Sequence, residues 1–260
     1  MHSVPVDIVP NHVEEIDNNI KIIWPDGHES FIPIDLIKNS HLPRYPDQCE
    51  WPEEFQPEKY SWKEFLDSNE IAIEALKTFV RFGVIILKDA PKESNSLEFL
   101  AKRLGPINEV LFERIHNVSV TGHVYNVAHT PKGLPPHNDF ASYKSQPSVQ
   151  VLHMLENECE GGESIIVDGW KVAKDLKDEM PEYFSILQNF NVPFREFDEE
   201  NETYAEAPLI KCATDGTIES FRFSNQLMQM IDPRKEGVRE FYKAYHEVSL
   251  RVHAVSYTHL

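Results

Sequence analysis

Residues 134–155 read LPPHNDFASYKSQPSVQVLHML, and the fold turns on how this stretch is read. Val149, Gln150 and Val151 alternate, and the run stays largely apolar to Leu155. That is the pattern of a β-strand with a buried face. Upstream, Pro135-Pro136 disfavours helix and holds the chain extended. In an extended segment residues i and i+2 point to the same face. His137 and Asp139 therefore converge, and Asn138 turns away. A random shuffle of a chain this rich in His and Asp gives roughly 0.6 such H-x-D triplets. The geometry adds what the spacing alone lacks. One imidazole and one carboxylate are two of the three ligands of the facial triad that holds non-heme Fe(II) with positions left open.

On the N-terminal side, SWKEFLDSNEIAIEALKTFVRFGVIILKDA predicts a helix carrying Ile71, Leu76, Phe79 and Val80, ended by Gly83 in the left-handed conformation. A buried strand Val84–Leu87 follows. A second helix starts after Ser94-Asn95 and stops at Gly105-Pro106. Strands are expected near 118–128, 147–155 and 162–168, two short helices at 170–190, strands near 207–213 and 218–224, and a helix over 235–248. Nearer the N-terminus, NNIKIIWPDGHESFIPI (18–34) reads as a β-hairpin around Pro25-Asp26-Gly27, and the Pro- and acid-rich stretch 40–60 as a linker. Helices first, then strands with turns, then interspersed helices predict antiparallel sheets flanked by helices rather than a βαβ alternation.

The chain has 260 residues, 41% hydrophobic and 26% charged, the mix of an ordinary globular protein. Its net charge of −18 disfavours nucleic acid and anionic membranes as partners. No run is long and apolar enough to span a bilayer. Cys49, Cys159 and Cys212 form no C-x-x-C pair, which points away from a disulfide framework and toward a reducing compartment. The N-terminal stretch MHSVPVDIVPNHVEEID has no signal-peptide core and is acidic, unlike a mitochondrial presequence, so the cytoplasm is the expected location. Other motifs carry less. Gly161-Gly162 is a hairpin turn and not a phosphate loop, His153 a packed core residue, and the acidic run 198–200 a solvated loop.

The ordered motifs Asn126-Val127-Ala128, His137-Asn138-Asp139-Phe140, PSVQVLHML and EGGESIIVDGWKVA resemble the γ-butyrobetaine and trimethyllysine dioxygenase family. That family lies in the taurine dioxygenase-like branch of the Fe(II)/2-oxoglutarate oxygenases. The resemblance implies a mainly β fold with flanking helices, a distorted double-stranded β-helix (jelly roll), incomplete here. It also implies a small N-terminal β-rich domain over 1–50, an oxygenase domain over 51–248, and an unmatched tail over 249–260. It implies Fe(II) with His137 and Asp139 as metal ligands, 2-oxoglutarate as cosubstrate, dioxygen as co-reactant and a small-molecule substrate. The family is often dimeric, which makes a homodimer the implied assembly, and it occurs in mitochondria as well as cytosol. Phe112, His116 and His129 align with substrate-cage positions, Phe140 follows the metal Asp where a Tyr can stand, and Asn126 and Asn225 match asparagines near substrate and cosubstrate.

The sequence departs from the family in three places. The third ligand, a His followed by an Arg that pairs with 2-oxoglutarate, has no counterpart. His246, His253 and His259 are the imidazoles on offer, and none is followed by the needed Arg. A truncated or mis-joined gene, and inactivity of the 260-residue chain, are the expectations. The small domain offers only His41 and Cys49 where the family has a cysteine-rich zinc site, so no structural zinc is expected. One Phe and two His make a poor cation–π cage for a trimethylammonium group. The expected function is hydroxylation of a small quaternary-amine or amino-acid-derived substrate, as in carnitine biosynthesis. The alternative is a catalytically dead relative acting by binding or regulation.

Overall fold

The structure is a computed structural model that describes residues 7–38, 48–52, 54–93, 95–110, 114–118, 133–156 and 164–254, and the backbone alone of 256–259. Two compact units divide the chain, Met1–Gln48 and Cys49–Leu260.

In the first unit β1 (His12–Ile16), β2 (Asn19–Ile23) and β3 (Glu29–Pro33) form an antiparallel sheet in that order, and α1 (Ile34–Lys38) follows. The hairpin expected around Pro25-Asp26-Gly27 is the β2–β3 pair, its turn closed from Gly27 N–H to the Trp24 carbonyl at 3.0 Å. Strand β1 was not foreseen. Its two-residue link to β2 is Asp17-Asn18, both at positive φ (47° and 61°), the geometry that matches the twist of paired strands.

The second unit opens with β4 (Lys59–Ser61), α2 (Trp62–Asp67), α3 (Asn69–Phe82), β5 (Ile86–Lys88) and α4 (Ser96–Leu104). Helix α3 forms where its sequence predicts. The Ser68 hydroxyl accepts from Ile71 N–H, and Gly83 at φ 77° ends the helix. Its buried face is Ala72 and Ala75, packed against Trp62, Phe65 and Leu100, whereas Leu76 and Val80 lie partly in solvent. β5 pairs in parallel with β4.

The remainder is β6 (Ile165–Val167), α5 (Gly169–Glu179), α6 (Pro181–Asn189), β7 (Val192–Phe197), β8 (Glu202–Ala207), β9 (Ile210–Cys212), β10 (Ile218–Phe221), α7 (Val238–Ala254) and β11 (Ser256–His259). The pairs β7–β8, β9–β10 and β6–β11 are antiparallel two-stranded sheets. The larger core joins Val172 and Leu176 of α5, Leu187 of α6, Phe194 of β7, Ile210 of β9 and Phe241 and Val248 of α7. Among the described residues the molecule is thus a mixed helix-and-strand protein with small antiparallel sheets, and helices supply more of this core than a mainly β class implies.

Two expectations are corrected. Residues 147–155 form no strand. Val149, Val151, Leu152 and Met154 are exposed, and the segment carries no ladder among the described residues. Alternation decides which face each side chain takes, but a strand also needs a neighbouring backbone to satisfy its N–H and C=O groups. Helix α7 runs past residue 248 to Ala254, because Val252 extends the buried stripe of Phe241, Ala244, Tyr245 and Val248 by another turn. All but Val118 of the strand expected over 118–128, and the Gly161-Gly162 turn, lie outside the described residues.

Candidate metal centre

The segment 135–143 is held by hydrogen bonds at both of its faces. Within it, His137 Nδ1 lies 2.9 Å from the Pro135 carbonyl. A carbonyl can only accept, so Nδ1 carries a proton. Nε2 faces Asp139, 3.1 Å from Oδ1, and in the metal-free protein it donates to that carboxylate. The other carboxylate oxygen, Oδ2, accepts from Gln150 Nε2 at 2.6 Å, and Gln146 Nε2 donates to the Asp139 carbonyl at 3.0 Å. Phe140 follows at φ 56°, a left-handed residue that turns the chain, and its ring meets Tyr143 edge-on at 5.1 Å.

On the opposite face the loop hangs from the continuation of β10. Asn138 points away from His137 and Asp139, as an i, i+2 geometry requires. Its Oδ1 accepts from Phe223 N–H at 2.7 Å, and its own N–H donates to the Phe223 carbonyl at 2.7 Å. Arg222 Nη1 donates to the carbonyls of Ala141 and of Tyr143, the latter at 2.9 Å. Ser142 Oγ and Thr203 Oγ1 of β8 are 2.7 Å apart.

Charge at the site is coupled. The Asp139 carboxylate, as hydrogen-bond partner, holds the His137 imidazole above its ordinary pKa, against the opposing pull of burial. His137 holds Asp139 below the usual carboxylate range, helped by Gln150 and by the nearby His116. Glu196 of β7, on the inward face with Val192 and Phe194, is pushed up by burial and by the charges of Asp139 and Asp198.

A metal ion fits the pair. Two donors about 2.1 Å from one octahedral ion and at right angles to each other stand about 3.0 Å apart. The His137–Asp139 separation of 3.1 Å matches this. The Nδ1–carbonyl bond is the outer support that metal-bound histidines ordinarily have. No group of three or more His, Cys, Asp or Glu side chains suited to a metal occurs among the described residues, so the third donor is not brought to this pair there. His246 instead lines an open groove of about 420 Å³ on α7 with Tyr183, Arg239, Tyr242, Lys243 and Glu247. His253 Nδ1 is 2.6 Å from the Ser249 carbonyl one turn back. The side chain of His259 is not described.

The other candidate residues are scattered in status. Phe112, Asn126, His129 and His41 lie outside the described residues. His116 is exposed and within electrostatic reach of Asp139. Asn225 is exposed, its Oδ1 accepting from the Tyr245 hydroxyl, which burial pushes up to about 12. Cys49 Sγ accepts from Arg81 Nε at 3.4 Å. His153 stacks on Trp62 with ring centroids 6.4 Å apart. Gln150, Arg222, Phe223 and Glu196 had not been singled out. Arg222 and Phe223 stand close before Asn225 in FRFSNQL (221–227), and nothing local marks Gln150.

The sequence model of the family described as Taurine catabolism dioxygenase TauD, TfdA family matches residues 44–259. The chain belongs to the TauD/TfdA family. Among its relatives, Dioxygenase str8 of Strobilurus tenacellus is 29% identical over 242 residues, which cover 85% of this chain and 56% of that protein. Gamma-butyrobetaine dioxygenase of Pseudomonas sp. (strain AK-1) is 28% identical over 240 residues, covering 88% and 62%. Human mitochondrial trimethyllysine dioxygenase is 27% identical over 194 residues, covering 71% and 46%. This TauD/TfdA chain therefore spans about half to two thirds of the length of these relatives. The match takes in His137, Asp139 and their supports Arg222 and Phe223 just after β10, and it reaches through α7 and β11.

Proposed function

We propose that this chain carries the iron-binding part of an Fe(II)- and 2-oxoglutarate-dependent dioxygenase that hydroxylates a small quaternary-amine or amino-acid-derived substrate. The observation that carries this is the convergence of His137 Nε2 and Asp139 Oδ1 at 3.1 Å, with His137 Nδ1 held by the Pro135 carbonyl. The names of the relatives, γ-butyrobetaine and trimethyllysine dioxygenases, support the substrate class. The small antiparallel sheets are, on this reading, parts of the double-stranded β-helix that the family implies.

The bound metal would supply activation of dioxygen with oxidation of 2-oxoglutarate. The chain's own residues do the rest. His137 would offer Nε2 to the metal on releasing the proton it shares with Asp139, because the Pro135 carbonyl keeps the other proton on Nδ1. Asp139 offers one oxygen, because Gln150 occupies the other. Phe140 and Tyr143 pack edge-on within the loop, and Asn138 and Arg222 secure its outer face.

Anaerobic calorimetry of 2-oxoglutarate with and without Fe(II) tests the proposal. Binding is expected only with the metal, and His137→Ala is expected to abolish it. Equal binding without metal, or binding untouched by His137→Ala, would overturn the reading. Only two donors meet among the described residues, and such a pair holds the ion weakly, so we expect no substrate-dependent succinate formation from these 260 residues.

A further inference from the structure

Arg222 is only 7% exposed, yet no carboxylate among the described residues pairs with it. Its guanidinium lies over the Phe194 ring, 5.7 Å from the centroid, and Nη1 is spent on the two carbonyls of Ala141 and Tyr143. A buried cation without an anion costs stability, and a side chain that only had to fill this space over a ring would be apolar. What an apolar side chain cannot do is draw two carbonyls, two residues apart, toward one donor. A lysine ammonium is a point charge on a mobile stem and lacks the rigid planar fork. The two carbonyls lie immediately downstream of Asp139 and Phe140, where the chain makes its left-handed turn at φ 56°. The backbone of Arg222 is itself fixed, its N–H donating to the Leu209 carbonyl at 2.7 Å, and its neighbour Phe223 holds Asn138 between the two metal ligands.

We infer that Arg222 is a positioning residue of the metal centre, acting through the Ala141 and Tyr143 carbonyls to set where the Asp139 carboxylate stands relative to His137. This rests on the metal-centre reading proposed above. Residues that orient metal ligands without touching the metal commonly change affinity 10- to 100-fold when removed.

The test is a titration of the full chain with Mn(II), read as paramagnetic broadening of the His137 ring resonances in ¹H–¹⁵N spectra, beside thermal melting of the same samples. In the unsubstituted chain Mn(II) is expected to broaden the His137 signals selectively. Arg222→Met is expected to need at least tenfold more Mn(II), with a melting temperature unchanged or raised, since a desolvated charge has gone. Arg222→Lys is expected to recover part of the affinity. If Arg222→Met binds Mn(II) as the unsubstituted chain does, the positioning role falls and the metal centre stands. If affinity and melting temperature fall together and Lys restores neither, Arg222 only supports the fold and the inference is overturned. If Mn(II) leaves the His137 signals of the unsubstituted chain sharp, the metal centre itself is refuted, and the inference with it.

Discussion

His137 and Asp139 shift each other's proton affinity in opposite directions, and the signs fix a pH window for the metal-free protein. The folded-state pKa of His137 is raised, so its contribution is fully present below about pH 6.5, the unfolded value, and is lost as pH rises through the folded one. That of Asp139 is depressed, so its contribution is present above about pH 3.9 and is lost as pH falls through the folded value. The pair is at full strength between these limits. Asp139→Asn is therefore expected to lower stability more at pH 5.5 than at pH 9, and to bring the His137 titration, followed by NMR, down toward the ordinary imidazole range. Equal destabilisation at both pH values would show that the pair does not couple. This much of the site was legible in the sequence, because convergence of i and i+2 side chains is a local property of extended chain. Its supports were not: Asn138 and Phe223 are 85 positions apart, and only the folded chain brings them together.

Elements whose signals are local came out where the sequence put them. Ser68 and Gly83 bracket α3, and Pro181 opens α6. Strand pairing was the part that could not be read. The 147–155 segment has the alternation of a strand and no ladder, whereas β1 announced itself only through the Asp17-Asn18 turn. Helix α5 shows how one side chain can serve two elements. Asp168 Oδ1 accepts from Lys171 N–H at 2.9 Å and caps the helix, while Oδ2 accepts from Trp51 N–H at 3.1 Å. Asp168 is buried, so Asp168→Ala would leave two backbone donors without partners. We expect a loss of about 2–3 kcal/mol in urea denaturation. Asp168→Asn, which keeps one acceptor oxygen, should lose less. A loss under about 0.5 kcal/mol for the Ala variant would show that water replaces both bonds.

At the scale of the whole molecule, a net charge of −18 sits beside a row of exposed apolar side chains at Val149, Val151, Leu152 and Met154. Charge repulsion keeps such rows apart, and it vanishes near the isoelectric point of about 5.0. Light scattering is expected to report reversible association as pH approaches 5, suppressed when Val151 and Leu152 are both replaced by Lys. Association undiminished in that variant would place the sticky surface elsewhere. The suspension of the 135–143 loop has its own consequence. The distance between the two donors is set by Pro135 and Gln150 on the donors themselves and by Arg222 on the turn that carries Asp139, whereas the loop as a body is anchored on its far side by Phe223 through Asn138. Chelate bite and site placement are thus governed by different bonds. Substitutions at Gln150 should change which ion radius is preferred, and those on the far anchor should change how readily any ion is captured, so selectivity and capture can be tuned apart.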